Sequence, residues 1–202
     1  MCPCACSGPG LNVLFGNSGE DQVVGGSGLY LGFGGRGNDE VVGGSGLTLL
    51  FGGAGEDEVT AGAGLCLAFG SSGHDIISSG SGLSLQFGGK DDDRLKFPSG
   101  LSLLFGGKQS DILETSGGGL LLAFGGSDND VIKGGGGLNL LFGGHHNDQF
   151  FGGGGVNIGF GGRDDDVMRG AGSADFLFGG VSTDIISGGS SEDFIFGSRG
   201  ND

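Results

Sequence analysis

The chain has 202 residues, of which 54 are Gly and 16 are Phe, and its formal net charge is −15 at pH 7. This composition excludes ordinary helices, because each interior Gly costs about 1 kcal/mol relative to Ala. The charge disfavours nucleic acid as a partner and favours cations, because phosphate binding needs an excess of Lys and Arg. No apolar run approaches the roughly 20 residues of a transmembrane helix, so we predict no transmembrane segment.

The first seven residues form an N-terminal segment that contains Cys2, Cys4 and Cys6. Alternating Cys residues fit either a site for a soft metal such as zinc, or a frayed end that forms intermolecular disulfides. The segment lacks the basic and apolar stretches of an ordinary signal peptide. We predict that residues 8–202 form a single domain without a linker.

From residue 8 onward the chain is one repeat, and its period shows in the Phe residues, which are 18 apart with a single step of 19: Phe15, Phe33, Phe51, Phe69, Phe87, Phe105, Phe124, Phe142, Phe160, Phe178 and Phe196. The clearest unit, residues 34–51, reads GGRGNDEVVGGSGLTLLF, and its residues are numbered below as positions 1–18. Each unit contains two alternating apolar segments and two Gly-rich turns, and it is too short to form a core alone. The sequence therefore predicts an all-β parallel β-solenoid of about eleven coils with two short parallel sheets.

Position 6 is Asp in every unit: Asp21, Asp39, Asp57, Asp75, Asp93, Asp111, Asp130, Asp148, Asp166, Asp184 and Asp202. Coils stack about 4.8 Å apart, and carboxylates at that distance repel by about 3 kcal/mol at an effective dielectric constant near 20. Three explanations are open: protonation of alternate carboxylates, capping of turn donors by Asp, or divalent cations between the coils. The absence of Asn from this column favours cations, and Ca²⁺ takes six to eight carboxylate and carbonyl oxygens.

Three segments carry a recognisable pattern, GGxGxDx(apolar)x: GNSGEDQVV (16–24), GGRGNDEVV (34–42) and GGAGEDEVT (52–60). This pattern resembles the nonapeptide repeat of the RTX, haemolysin-type calcium-binding proteins. The resemblance implies a secreted or cell-surface protein with a parallel β-roll. It also implies Ca²⁺ ions between adjacent turns, held by Asp of two successive coils and by turn carbonyls. The one-sided Asp column is similar as well to the calcium-bound repeat of a bacterial ice-binding adhesin.

The second half of the unit departs from the RTX pattern, which carries Asp there too. The corresponding residues are Asn12, Tyr30, Thr48, Cys66, Ser84, Ser102, Leu121, Asn139 and Asn157, and then Asp175 and Asp193. We therefore predict one long row of ions on the first edge. On the second edge we predict a single ion between Asp175 and Asp193.

Two irregularities interrupt the repeat. From Asp91 to Ser182 the Gly of position 4 is lost, which is expected to distort the turn after residue 88, and Asp91, Asp128 and Asp164 at this position either add ligands or face water. In the centre, Phe97-Pro98 replaces the usual Gly pair and an extra residue enters near residues 117–119. Because Pro removes a backbone donor, we expect a bulge or a weak joint there.

Positions 14, 16 and 18 are mostly Leu, Leu and Phe, and their orientation has two interpretations. They share parity with position 8, which is always apolar, and this favours a core built from all four columns. The RTX pattern implies instead that position 17 faces inward. The Leu and Phe columns would then form an exposed apolar sheet that needs a partner, a surface or self-association.

Nothing in the sequence indicates an enzyme. His74, His145 and His146 occupy different turn positions, and no helix follows the Gly strings that mimic a dinucleotide-binding motif. We expect an extracellular structural or adhesive protein whose folding is coupled to Ca²⁺ binding. The alternatives are an ice-binding solenoid and an RTX appendage of a secreted enzyme or toxin.

Both ends of the chain fall in mid-coil, which gives two further expectations. The chain is either a fragment of a longer repeat protein, or a subunit whose ends complete each other in a head-to-tail filament. The expected partners are therefore calcium ions and other copies of the chain, joined end to end or through the apolar sheet.

Overall fold

A computed structural model describes the backbone of Cys4–Ala5 and residues 10–202. These residues form two parallel sheets of eleven strands each. The first sheet has short strands: β1 (Cys4–Ala5), β3 (Gln22–Val24), β5 (Glu40–Val42), β7 (Glu58–Thr60), β9 (Ile76–Ser78), β11 (Arg94–Phe97), β13 (Ile112–Thr115), β15 (Val131–Lys133), β17 (Gln149–Phe151), β19 (Val167–Arg169) and β21 (Ile185–Ser187). No helix long and apolar enough to cross a membrane occurs in this described part of the chain.

The second sheet has longer strands: β2 (Gly10–Ser18), β4 (Gly28–Arg36), β6 (Gly46–Ala54), β8 (Gly64–Ser72), β10 (Gly82–Lys90), β12 (Gly100–Lys108), β14 (Gly119–Ser127), β16 (Leu138–His145), β18 (Val156–Arg163), β20 (Asp175–Val181) and β22 (Phe194–Arg199). The chain alternates between the sheets, and each strand pairs in parallel with the equivalent strand of the next coil. The predicted parallel β-solenoid with two sheets and 18-residue coils is confirmed.

The register places equal positions of successive coils on top of each other. Val41 pairs with Val59, and Phe33 pairs with Phe51. The single 19-residue step keeps this register, because Phe105 still pairs with Phe124. The extra residue is taken up in the turn around Gly118, beside which a Cβ would meet no atom within 4 Å. Every column of the sequence is therefore also a column of the structure.

The turn from each long strand to the next short strand passes through a left-handed residue at position 4. Gly37 has a φ of 109° there, and Asp91 and Asp128 keep φ values of 76° and 78°. Asp, Asn and His enter this region more readily than other residues with a side chain. The expected distortion after residue 88 does not occur, and the turn retains its hand.

The core is formed by position 8 of the short strands and by positions 15 and 17 of the long strands. Position 8 is buried as predicted: Val23, Val41, Val59, Ile77, Leu95, Leu113, Ile132, Phe150 and Met168, with Ile186 partly buried. Large and small residues compensate each other in the facing columns. A Cβ on Gly25 or Gly32 would lie 2.5 or 2.7 Å from Tyr30, so Tyr30 occupies the space that these glycines leave.

The prediction that positions 14, 16 and 18 belong to the core is wrong, and the RTX alternative is confirmed. These columns point away from the core, and their exposed members include Leu11, Leu29, Leu47, Leu65, Leu101, Leu138, Phe15, Phe160, Phe194 and Phe196. The Phe rings stack along the rod, with centroids 4.8 Å apart between Phe15 and Phe33 and 5.1 Å apart between Phe142 and Phe160. Positions 8 and 15 both face inward although they are an odd number of residues apart. Side chains alternate in direction along a strand, so the turn between the two strands must change which set of alternate positions faces the core.

The central irregularity changes the surface and leaves the strand ladder intact. Here β11 and β13 have four residues each, where most strands of this sheet have three, and Phe97 is buried. A cavity of about 390 Å³ opens at the surface, lined by Ser78, Ser79, Lys96, Phe97, Pro98, Glu114, Thr115, Ser116 and Lys133. Because β11 still pairs with both β9 and β13, no break in the sheet results, and the weak joint stays a prediction.

Candidate metal centre along the aspartate edge

The eleven Asp residues of position 6 lie in one row, at the turn that follows each long strand. We call this row the Asp edge. The backbone N–H of each Asp donates to Oδ1 of the Asp in the next coil, from Asp21 to Asp39 (2.8 Å) through Asp184 to Asp202 (3.1 Å). The structure thus brings together all of these predicted site residues. The Oδ1 atoms along this row therefore cap backbone donors, as in the second of the three explanations given for the Asp column.

The other carboxylate oxygen has no such partner. Oδ2 is buried and without a hydrogen bond in Asp21, Asp39, Asp57, Asp75, Asp93, Asp111, Asp130, Asp148, Asp166 and Asp184. An unsatisfied buried polar group costs about 1–3 kcal/mol, and more when it is charged. A continuous line of such oxygens therefore requires protons or cations along its whole length.

The space beside each Oδ2 atom depends on the Gly of position 1. A Cβ built on Gly34 would lie 2.6 Å from Asp39 Oδ2 and 2.6 Å from the carbonyl oxygen of Gly52 in the next coil. On Gly16 the same distances are 2.9 Å to Asp21 Oδ2 and 2.5 Å to the Gly34 carbonyl oxygen. A carboxylate oxygen of one coil and a carbonyl oxygen of the next thus converge on a space that any side chain would fill. This set of hard oxygen donors fits Ca²⁺.

Burial controls the acidity of the Asp edge. Desolvation raises the pKa of Asp57 to about 6 and the pKa values of Asp75 and Asp93 to about 7. In the middle of the rod it raises the pKa values of Asp111 and Asp148 to about 8, with a further increase from neighbouring carboxylates. The backbone N–H that each Oδ1 accepts lowers these pKa values only in part. Without a counterion, the central carboxylates therefore retain protons near neutral pH, and a metal ion must compete with those protons.

Side chains alone do not form a complete metal site. Within residues 10–202, no group of three or more His, Cys, Asp or Glu side chains is placed to hold a metal ion. Two Asp residues of successive coils would need carbonyl oxygens as additional ligands, which suits Ca²⁺ and does not suit a structural zinc site.

The Asp residues of position 4 make a second, outer ladder. Asp91 Oδ2 accepts a hydrogen bond from Gly73 N (3.1 Å), Asp128 Oδ2 from Gln109 N (3.3 Å), and Asp164 Oδ2 from His146 N (3.2 Å). These side chains are at least partly exposed. They cap backbone donors of the preceding coil, so their alternative role as added ligands receives no support.

The opposite edge, which we call the second edge, is built differently. Asn139 Nδ2 donates to Asn157 Oδ1 (2.8 Å), and Asn157 Nδ2 donates to Asp175 Oδ1 (2.6 Å). Asp175 Oδ2 accepts from Ala171 N (2.9 Å), and Asp175 N donates to Asp193 Oδ1 (3.0 Å). The structure brings the two Asp residues together as predicted. Both oxygens of Asp175 already have partners, so the ion between Asp175 and Asp193 stays a prediction without further support.

The cysteine predictions lie mostly outside the described residues. Cys2 and Cys6 belong to the part that the structure does not describe, and only the backbone of Cys4 is described. Cys66 is free and buried, and its burial raises the pKa of the thiol. Strand β1 pairs Cys4–Ala5 with Val23–Val24, and the domain boundary at residue 8 stays a prediction.

Comparison with protein families found a match. The model of the RTX calcium-binding nonapeptide repeat, which contains four copies, matches residues 7–28, 33–64, 124–158, 151–186 and 170–202. The chain belongs to the RTX repeat family. Searches of curated proteins and of solved structures found no match.

The RTX match omits residues 65–123, and the structure shows what differs there. The Asp edge continues through Asp75, Asp93 and Asp111 with hydrogen bonds of 2.8–2.9 Å. What sets the segment apart is the central irregular coil, with Phe97-Pro98 in place of the Gly pair and the extra residue near residues 117–119. Sequence reasoning missed the role of the position-1 Gly, although the signal was visible, because position 1 is Gly in all eleven units.

Proposed function

We propose that this RTX chain folds around a row of Ca²⁺ ions held along the Asp edge. The supporting observation is the line of buried Oδ2 atoms without partners, together with the position-1 Gly residues, most of which have a carbonyl oxygen of the next coil beside the same space. A divalent ion between successive coils removes both the missing partner and the repulsion between carboxylates. Folding then depends on the ion, because the bare row opposes the stacking of coils.

The chain supplies three functions at each coil. The Asp Oδ2 binds the ion, and the Asp Oδ1 holds the backbone N–H of the preceding coil, which fixes the direction of the carboxylate. The position-1 Gly leaves the space open and exposes its carbonyl oxygen to the preceding coil. When bound, Ca²⁺ supplies the positive charge that neutralises two neighbouring carboxylates.

A calcium titration tests this proposal. The full chain in metal-free buffer at pH 7.5 should give a random-coil circular dichroism spectrum and convert to β-sheet at micromolar to millimolar Ca²⁺, with Mg²⁺ far less effective. Elemental analysis of the folded protein should find several Ca²⁺ ions per chain. Compact β-structure in excess chelator at this pH, with no metal bound, would contradict the proposal.

The proposed setting is outside the cell or on its surface, with a structural or adhesive role and no catalysis. Membership of the RTX family supports this setting, since such repeats are typical of secreted proteins. A protein in this setting should bind Ca²⁺ with a dissociation constant of about 10⁻⁴–10⁻³ M, as extracellular calcium modules do. The chain would then be unfolded at cytosolic Ca²⁺ concentrations. Calorimetric titration measures this constant, and a nanomolar value would argue against the setting.

Self-association belongs to the same proposal, either end to end or through the exposed columns of the long-strand sheet. End-to-end assembly predicts species that grow without limit as the protein concentration rises. Pairing through the sheet predicts one closed species of fixed mass. Sedimentation velocity at several concentrations in Ca²⁺ separates these two modes.

A further inference from the structure

The outward columns of positions 14, 16 and 18 form a flat surface, which we call the apolar face. Its three columns include Leu47, Leu49 and Phe51 in one coil, and every residue in them is apolar except Glu192 in the last coil. Eleven coils and five residue positions give a face of about 50 by 18 Å, or about 900 Å². Monomeric proteins rarely expose apolar patches larger than a few hundred Å². The face is therefore large enough to require a partner.

The spacing of the face indicates which partner fits it. Phe rings recur every 4.8–5.1 Å along the rod and lie nearly parallel to each other. A surface that packs against these ridges along the whole rod must have the same period. A second copy of this chain has that period in its own apolar face.

We infer that two copies pair through their apolar faces. The pair would bury about 900 Å² on each copy, which matches the standard interface of about 1,600 Å² in total. The inference rests on the proposed function in one respect: Ca²⁺ provides the stacked coils that align the three columns.

Charges on the two flanks of the face determine the orientation. The flank next to the Asp edge carries five cations at position 3, among neutral residues: Arg36, Lys90, Lys108, Arg163 and Arg199. The flank next to the second edge is neutral, with Ser27, Ser45 and other small residues. A two-fold axis along the rod makes the two rods parallel and places the cation-bearing flank of each copy, next to its Asp edge, beside the neutral flank of the partner. In antiparallel rods, the two cation-bearing flanks would lie side by side and repel each other. The two rods are therefore parallel, with equal coils facing each other.

A matched pair of variants tests the pairing in the full chain with saturating Ca²⁺. Leu101→Glu changes a residue of the apolar face that is 38% exposed, and the control Ile76→Glu changes one on the short-strand sheet that is 43% exposed. Sedimentation equilibrium should find the wild type and Ile76→Glu as dimers of the 19.9 kDa chain. Leu101→Glu should weaken the dimer at least about tenfold, because it places an unpaired charge in the interface. Circular dichroism and the number of bound Ca²⁺ ions should not change.

The alternative outcomes are distinguishable. A folded wild-type monomer overturns the pairing and leaves the proposed function intact, and a chain that stays unfolded in Ca²⁺ overturns both. Equal effects of the two variants, or growth into open-ended polymers, also overturn it. So does cosedimentation of a folded monomer with anionic phospholipid vesicles, which would make a lipid surface the partner.

Spin labels test the orientation. Ser18→Cys, with the native Cys residues replaced by Ser, places one label in the first coil at the flank of the face. Parallel rods predict a distance between the two labels of about 35 Å, whereas antiparallel rods separate them by about 50 Å along the axis. The longer distance would overturn the parallel arrangement.

Discussion

The two edges of the solenoid solve the same stacking problem with different chemistry. On the second edge, the coils that carry Asn139 and Asn157 form a short amide ladder, in which both amides donate and accept and each donates to its neighbour in the next coil. On the Asp edge, each carboxylate can only accept, and one oxygen of each is left over. An amide ladder is complete by itself, whereas a carboxylate ladder needs a proton or a cation from solution. Under the proposed function, this difference assigns the dependence on calcium to one edge of the molecule.

The largest expected effect is pH dependence in the absence of Ca²⁺. The folded pKa values of about 6–8 lie above the ordinary value near 3.9. Carboxyl groups with raised pKa values leave the fold fully stable only below the ordinary value near 3.9, and this stability is lost progressively as the pH rises from there to 6–8. In chelator, circular dichroism should show β-structure at pH 5 and random coil at pH 9. With saturating Ca²⁺ the spectrum should not change between pH 7 and 9, and equal stability at pH 5 and 9 in chelator would contradict the comparison.

The next effect comes from converting part of the Asp edge into an amide ladder. In the triple variant Asp75→Asn, Asp93→Asn and Asp111→Asn, Oδ1 remains and a donor replaces each unpartnered Oδ2. In chelator at neutral pH, the variant should keep more β-structure by circular dichroism than the wild type, because each replaced oxygen adds about 1–3 kcal/mol of stability. In Ca²⁺ the same variant should bind fewer ions and lose stability relative to the wild type. Asp91→Asn on the outer ladder is the control. If the triple variant were less stable than the wild type both in chelator and in Ca²⁺, the proposed difference between the carboxylate edge and the amide edge would be wrong.

A smaller effect follows from filling the space beside one carboxylate. A Cβ on Gly88 would meet Asp93 Oδ2 and lie 2.7 Å from the Gly106 carbonyl oxygen, whereas a Cβ on Gly118 would meet nothing within 4 Å. Gly88→Ala should cost about 1–3 kcal/mol of stability in Ca²⁺ through overpacking, and it should lower the number of bound ions. Gly118→Ala should match the wild type in both measurements. Equal behaviour of the two variants would mean that the space beside Asp93 has no role.

The smallest effect is expected on the outer ladder. Asp128→Gly removes the hydrogen bond to Gln109 N (3.3 Å) and relieves a left-handed backbone with a φ of 78°. These contributions oppose each other, so urea unfolding should change by less than about 0.5 kcal/mol. The number of bound Ca²⁺ ions should stay the same, and a lost ion would show that position 4 contributes a ligand.

The repeat period predicted the coils, the two parallel sheets and the stacked Asp column. These features follow from the period because residues one coil apart must stack wherever the turns have equal length. Even the extra residue did not disturb the prediction, because the turn around Gly118 absorbs it while Asp111 still bonds to Asp130.

The orientation of the Leu and Phe columns could not be obtained in the same way. Hydrophobicity and shared parity placed Leu49 and Phe51 inside, but the geometry of the intervening turn decides which parity faces inward. The interior instead takes mixed residues such as Thr48, Tyr30 and Gly32, whose sizes compensate between neighbouring coils. The unpartnered Oδ2 atoms were equally hidden, because they depend on which oxygen accepts the backbone N–H.

The 19-residue coil also shows where this architecture tolerates a change in length. Residues added at the second edge can loop into solvent, as Gly118 does, without shifting the carboxylates on the far side. An addition between a position-1 Gly and its Asp would separate the two groups whose oxygens converge. Insertions, peptide tags and grafted loops should therefore be accepted at one side of the rod and rejected at the other.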